Sequence, residues 1–321
     1  MFKQTVPAGK PLLLSLLVAA AVTACGGGDS NGDSATAAAG QSSTSLNLNF
    51  EPLAPAAVNN TAADGLSWFN YRRQQIKLAA LTRNAQLDNA AQAHSEYQRA
   101  NNVISHDEVA GAPGYTGAEL GQRISAAGYR FSSSRYAYGE VISATASTSG
   151  FAAADDLVTA IYHRFVIFEP TFSQAGGGSA TVSNGYTYFT ANFTANGLGN
   201  GVGRGGFVTY PTEGQRGVPT NFFSDREIPD PVPDRNEVGF PVSVHADITS
   251  RVTVNSFTLR PQGGAAVSTR LLSADTDPET PPSAAGLIPL EPLRASTTYE
   301  VQFNATIDGV AVSRSWTFST R

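Results

Sequence analysis

Apolar positions in the first two thirds of the chain recur at three and four residues, whereas in the last quarter they alternate. Over residues 68–81, Trp68, Tyr71, Ile76 and Leu78 to Leu81 follow a helical pattern, with Asp64 ahead of them as a capping side chain. A second helix is predicted over 87–101, where Leu87, Ala90, Ala91, His94, Tyr97 and Gln98 repeat at helical spacing and alanine dominates. Thr116-Gly117-Ala118-Glu119 reads as a capping box opening a short third helix through Arg123, Ile124 and Ala127, ended by Gly128. A fourth helix is predicted over 155–168, with Asp155 and Asp156 in its first turn, where the helix dipole favours negative charge. On that helix His163 points roughly 170° from the apolar face, with Asp156 within about 20° of it. Strands are expected at 138–143 and 186–194, so this part is an alpha-beta layer and not a bundle.

After Asn200 the helical signals stop. Residues 201–206 are glycine-rich, 207–210 read as a strand running into a turn, and 229–233 form a proline-rich loop. Strands are expected near 241–246, 251–260 and 266–272. Tyr299, Val301, Phe303 and Ala305 then alternate, Asp308-Gly309 supplies a type I′ turn, and Val310, Val312, Trp316 and Phe318 complete a hairpin. The expected fold class is α+β, the second part an all-beta sandwich with Trp316 and Phe318 in its core.

The chain opens with Lys3, Lys10 and an apolar run over 11–24, too short for a bilayer span and laid out as a secretory signal. Val22-Thr23-Ala24-Cys25 resembles a bacterial lipobox, which implies lipidation of Cys25, the only cysteine, and attachment to a membrane. Residues 25–60 lack the apolar content to fold and read as a flexible tether. Gly26 stands where related lipoproteins of Gram-negative bacteria carry an aspartate for inner-membrane retention, so that resemblance implies export to the outer membrane or cell surface. The formal charge is −5, and loss of Lys3 and Lys10 leaves 19 basic against 26 acidic residues. With no basic block, nucleic-acid binding is excluded as a reading.

The order Ala-Ala-Gln-Ala-His-Ser-Glu-Tyr at 90–97, Ser105-His106, Arg123 with Ala127-Gly128-Tyr129, Gly139-Glu140-Val141-Ile142 and Tyr162-His163-Arg164 resembles the CAP superfamily. That superfamily holds the cysteine-rich secretory proteins, antigen 5 and the pathogenesis-related proteins. The resemblance covers residues 61–200 and implies a three-layer alpha-beta-alpha sandwich with a cleft holding two histidines and acidic partners. It assigns His106, Glu140 and His163 as cleft and catalytic residues, and His106 and His163 as ligands of a zinc or other divalent ion. The Gly-rich segment 176–178 stands at a family turn. Leu157 and Ala160 depart from the family's Trp and Ser, and the second acid is Asp156, Glu108 or Glu169, or is missing from a reduced cleft. Asp107 and Glu108 beside His106 are expected to favour its imidazolium form, with Glu108 in a solvated loop. His94 is expected to be a buried, hydrogen-bonded structural histidine, and His245 is assigned no role.

Within 204–321, Leu290-Glu291-Pro292, Thr297-Thr298-Tyr299 and Trp316-Thr317-Phe318-Ser319-Thr320 resemble bacterial immunoglobulin-like domains, which bind, space or present. The changes of composition at residue 200 predict two independently folding parts. No phosphate-loop, Gly-x-Ser-x-Gly or His-Glu-x-x-His pattern occurs. Three functional classes follow: a surface module binding a lipid or protein ligand, a metal-assisted hydrolase using His106, Glu140 and His163, and a structural envelope protein.

Overall fold

The computed structural model of the chain describes residues 3–5, 51, 53–199 and 201–321. Cys25, residues 6–24 of the expected signal and the tether up to residue 50 lie outside the described residues. The first half comprises β1 (Lys3–Thr5), α1 (Thr61–Gln75), β2 (Thr82–Arg83), α2 (Ala85–Asn101), α3 (Leu120–Ala126), β3 (Tyr136–Thr145), α4 (Gly150–Thr159), α5 (Ile161–Ile167), β4 (Gln174–Thr181) and β5 (Thr187–Asn196). One sheet, ordered β1-β3-β5-β4-β2, carries α2 and α3 on one face and α1, α4 and α5 on the other. This is the three-layer sandwich.

Helix starts follow side chains that satisfy the first backbone N–H groups. Asn60, and not Asp64, caps α1 by accepting from Ala63 N–H. Asn84 accepts from the N–H groups of Gln86 and Leu87 at the start of α2. The capping box of α3 is formed by Glu119 and Gln122, because Thr116 is engaged elsewhere.

The single helix expected over 155–168 is two. Ser149 caps α4, which begins five residues earlier than predicted, and Ala160 leaves the helical region with ψ 118° before α5 starts. Asp155 therefore sits inside α4 and not in a first turn. Its Oδ1 accepts from Trp68 Nε1 at 2.8 Å and Arg72 Nη2 at 2.8 Å, tying α4 to α1. With the helix broken, the angular pairing of Asp156 with His163 no longer applies.

Gly176, Gly177 and Gly178 lie in a central strand, not a turn. A Cβ on Gly176 would overlap the backbone of Leu87 and Asp88, and one on Gly178 the backbone of Ala91 and Gln92, so α2 lies directly on β4. Gly177 faces the opposite side, where a Cβ would meet Ala62 O and Leu66 Cγ at 3.2 Å. The alternation is that of a strand, and the missing side chains are what let helices approach both faces.

The second half contains β6 (Val208–Tyr210), β7 (Gln215–Val218), β8 (Asn221–Phe223), β9 (Glu237–Gly239), β10 (Val242–His245), β11 (Val252–Pro261), β12 (Thr269–Ser273), β13 (Ala284–Pro289), β14 (Thr298–Ile307) and β15 (Val310–Thr320). Two four-stranded sheets, ordered β12-β13-β10-β6 and β11-β14-β15-β7, form a beta sandwich, with β8 and β9 as a separate pair. Asp308 and Gly309 have φ of 52° and 78°, as a type I′ turn requires. Trp316 and Phe318 are buried, and Trp316 Nε1 donates to Pro211 O at 2.9 Å.

The change at residue 200 is one of secondary structure and not of packing. All seven residues of α5 are buried, which its two neighbours explain: the sheet of the first half lies on one side and β6, β10 and β13 on the other. Phe165 and Phe168 pack edge-on to His245 at 5.7 and 5.4 Å between ring centroids, Phe168 meets Tyr210 at 5.1 Å, and Gly286 leaves room for Ile161 and Phe165. One apolar core runs through both halves.

Two outcomes test this account. Gly178→Ala should cost roughly 3 kcal/mol of stability, against about 1 kcal/mol for Gly177→Ala, because only the first pushes on helix backbone; paired urea titrations measure the difference. A fragment ending at residue 199 should lack cooperative thermal unfolding, since it exposes one side of α5. A sharp, native-like transition in that fragment would show that the halves fold separately after all.

Candidate functional site

Between α2, α3 and β3 lies a polar cluster with almost no solvent contact. His94 comes from the middle of α2, His106 and Glu108 from the loop after it, Arg123 from α3 and Glu140 from β3; all are at most 3 % exposed. Arg123 is the centre. Its Nη2 donates to both oxygens of Glu140 at 2.7 and 2.9 Å, and its Nη1 donates to His106 O at 2.7 Å. His106 Nδ1 donates to Glu140 Oε1 at 2.8 Å. Asn192, in the amide orientation that satisfies both its ends, donates to Glu140 Oε2 at 3.0 Å.

Glu108 is buried and not in a solvated loop. It accepts from Thr116 N–H at 2.6 Å and Gly117 N–H at 3.2 Å, which is why Thr116 caps no helix, and from His94 Nδ1 at 2.8 Å. His94 Nε2 faces Ser105 O at 2.8 Å. Both ring nitrogens of His94 thus meet acceptors, a pattern that the doubly protonated ring satisfies on both sides. Among the open alternatives for a second acid, Glu108 is the one that joins the cluster. Asp156 and Glu169 do not, the latter accepting from Thr171 N–H and Ile248 N–H in the shared core.

The electrostatics follow from burial against pairing. Burial pushes Glu140 upward, but Arg123, His94 and His106 outweigh it and hold the carboxyl well below the usual range. Burial likewise raises Glu108, and the hydrogen bonds from His94 and Thr116 reverse that. His106 runs opposite to expectation: burial lowers it to about 3, the nearby charge of His163 acting in the same direction, and the Glu140 bond does not compensate. Its imidazole is neutral at pH 7.

His163 does not share Glu140. Its Nδ1 donates at 2.9 Å to Glu227 Oε1, a carboxylate from the second half that also accepts from the backbone N–H groups of Tyr162 and His163 at 2.7 and 3.1 Å. The expectation of a solvated or acid-flanked His163 on one continuous helix is corrected: the ring is fully buried, and its acid lies 64 residues away. His163 Nε2 and Glu227 Oε2 are buried with no hydrogen-bond partner. Beside them Tyr162 Oη donates to Asp277 Oδ1 at 3.1 Å. Glu227 had no signal in the sequence, standing outside any motif after the proposed boundary.

A divalent ion on His106 and His163 does not fit this arrangement. Zinc sites draw three or four protein ligands, and among the described residues no group of three or more His, Cys, Asp or Glu side chains is arranged to hold a metal. Glu140 is committed to Arg123 and His106, and Glu227 to the start of α5.

Stability should report the site through pH. His106 is lower folded than unfolded, so between about pH 6.5 and 3 the unfolded chain binds the extra proton, and stability falls on acidification. Glu169, which burial raises to about 7, has the reverse effect, favouring the folded state as pH drops from 7 toward the unfolded carboxylate value. Between pH 7 and 5, His106→Asn should therefore reduce the acid-induced loss of Tm by about 3 °C relative to the parent, whereas Glu169→Gln should enlarge it by a similar amount. Same-sign changes in the two variants would refute the assignment.

Residues 66–193 match the family model CAP, the cysteine-rich secretory protein family. No curated protein matches the chain. Among solved structures, an extracellular protein containing an SCP domain from Bacillus anthracis is 25 % identical, covering 42 % of this chain and 40 % of its own, with a TM-score of 0.35. An outer surface protein of Borrelia burgdorferi is 16 % identical over 40 % of this chain and 88 % of its own, at 0.33. The venom allergen-like protein 4 of Schistosoma mansoni is 13 % identical over 42 % and 88 %, at 0.30. The chain thus spans about two fifths of the length of the first of these.

Proposed function

With residues 66–193 forming a CAP domain, we propose that this chain is an exported protein, held in the envelope through lipid on Cys25, that binds a lipid or protein ligand. The observation carrying this reading is that both carboxylates of the Arg123 cluster are held by fixed donors. Both oxygens of Glu140 accept from Arg123, one of them also from His106 Nδ1, and Glu140 is far too acidic to accept a proton near pH 7. Such a cluster fixes the loop carrying His106 and the strand carrying Glu140 in one arrangement, which serves a preformed recognition surface. The beta sandwich of the second half fits a presenting or spacing module, in keeping with its immunoglobulin-like sequence pattern.

A hydrolase is the second reading. It is favoured by one feature, the unpartnered Nε2 of His163 beside the unpartnered Oε2 of Glu227, since an idle buried imidazole is what a general base needs.

Anchoring and ligand are tested together. Cys25→Ser should move the protein from the detergent phase to the aqueous phase on Triton X-114 partitioning without changing its circular dichroism. Native mass spectrometry of the parent, purified from envelopes, should show a copurifying lipid or peptide that His163→Ala does not abolish. Protein that carries no such mass, and that hydrolyses an ester or peptide substrate in a His163-dependent manner, would replace the binding reading with the hydrolase.

A further inference from the structure

The beta sandwich is hollow at one end. The connection over residues 262–268 carries the chain from β11 in one sheet to β12 in the other, and residues 290–297 return it from β13 to β14. Both crossings lie at the same end, where Leu290 N–H donates to Ser268 O at 2.9 Å, and between them is a cavity of about 590 Å³. That is the size of a small-molecule site. Strand β12 runs from this end to the loop bearing Asp277, the residue that meets Tyr162. The cavity is thus distinct from the His163–Glu227 pair.

Pro261, Val267, Pro292 and Leu293 give it apolar walls, and Arg294 and Tyr299 line it as well. Tyr299 is 1 % exposed, and its Oη accepts from Arg294 N–H at 2.8 Å. A hydroxyl that accepts still has its own hydrogen to give, and among the described residues no acceptor takes it. The backbone of Arg294 is held on its other side too, its C=O accepting from Thr320 Oγ1 at 2.6 Å. Its guanidinium has no ion pair or hydrogen bond among the described residues. Glu291, the carboxylate in the same wall, is already engaged by Arg235. Two donors without acceptors, set among apolar walls, select an anionic group on an apolar body.

We propose that this cavity binds a carboxylate carried on an apolar group, the carboxylate accepting from Arg294 and from the Tyr299 hydroxyl and the apolar body lying against Val267 and Leu293. One guanidinium matches the single charge and planar shape of a carboxylate. A phosphate would bring a second charge into walls that have no second cation for it. The proposal goes beyond the reading above, in which the second half spaces or presents, and gives that half a ligand of its own. The same chemical group ends a fatty acid and a polypeptide chain, and two probes separate these sources.

The test uses the full chain carrying Cys25→Ser, so that no detergent competes. The probes are octanoate and N-acetyl-leucyl-leucine, and binding is read from the amide NMR shifts of Gly263 and Gly264 in the cavity wall. At least one probe should bind with a Kd of about 10⁻⁴ M. Binding of octanoate alone points to a fatty acid, binding of the dipeptide alone to a polypeptide end, and either supports the proposal. The corresponding amides should bind at least about tenfold more weakly. Arg294→Gln should weaken binding of the acid by about tenfold and Arg294→Lys by about threefold, whereas Glu291→Gln should not weaken it, because it removes a negative charge from the wall. Val267→Trp, which fills the cavity and alters no polar group, should abolish binding while circular dichroism stays native. Amides that bind as well as the acids, an Arg294→Gln variant as tight as the parent, or no shift with either probe at about 10 mM would each overturn the proposal.

Discussion

A helix exposes backbone N–H groups at its start, and a helix buried on every side has no water to satisfy them. Helix α5 begins after Ala160, which has no side chain able to accept. Glu227 does the work from the second half, its Oε1 accepting from the N–H groups of Tyr162 and His163 and from the ring of His163. A carboxylate at a helix N-terminus is favoured by the dipole as well. Arg164 meets the same constraint next to it: buried, it donates to Val158 O and Thr159 O within the first half and to Pro241 O in the second. Without those partners α5 could not stay dry, and without α5 the two halves would have no common core.

The Arg123 cluster solves a parallel problem differently. There the carboxylates of Glu108 and Glu140 and their donors Arg123, His94 and His106 all come from one half, so the cluster needs nothing from the beta sandwich. Breaking one member of such a network leaves an uncompensated charge, which costs far more than the net value of the pair. His106 and His163 accordingly belong to two separate hydrogen-bonded systems, each histidine donating through Nδ1 to its own carboxylate. Their proximity is electrostatic and does not amount to a shared ligand set.

How much of this was legible in the sequence depends on how local its cause is. The period of Leu87, Ala90, Ala91 and His94 marked α2 and put His94 on its buried side, and the alternation from Tyr299 to Ala305 with Asp308-Gly309 marked the last hairpin, since helix faces and type I′ turns are short-range chemistry. The family order placed His106 beside Glu140. What could not be read were long-range partners. Glu108 sits in an acidic loop stretch that looks solvated until the backbone N–H groups of Thr116 and Gly117 close on it. The apolar face read over 155–168, with Asp156 and His163 on the other side, concealed the break at Ala160 because nothing in the local sequence marks where the helix stops. Gly176 to Gly178 read as a turn because glycine is usually a sign of one; here its lack of a side chain serves close packing of helices on both faces of β4.

Ala160 has no side chain to cap a helix, which leaves α5 dependent on a carboxylate 67 residues further along. The first half gives its first-turn N–H groups, and with them the orientation of His163, to the second half. The beta sandwich is therefore a structural component of the domain's histidine site and not an appended module. Any ligand-induced displacement of the loop bearing Glu227 must be felt at His163, and any strain at His163 must be felt in the sandwich.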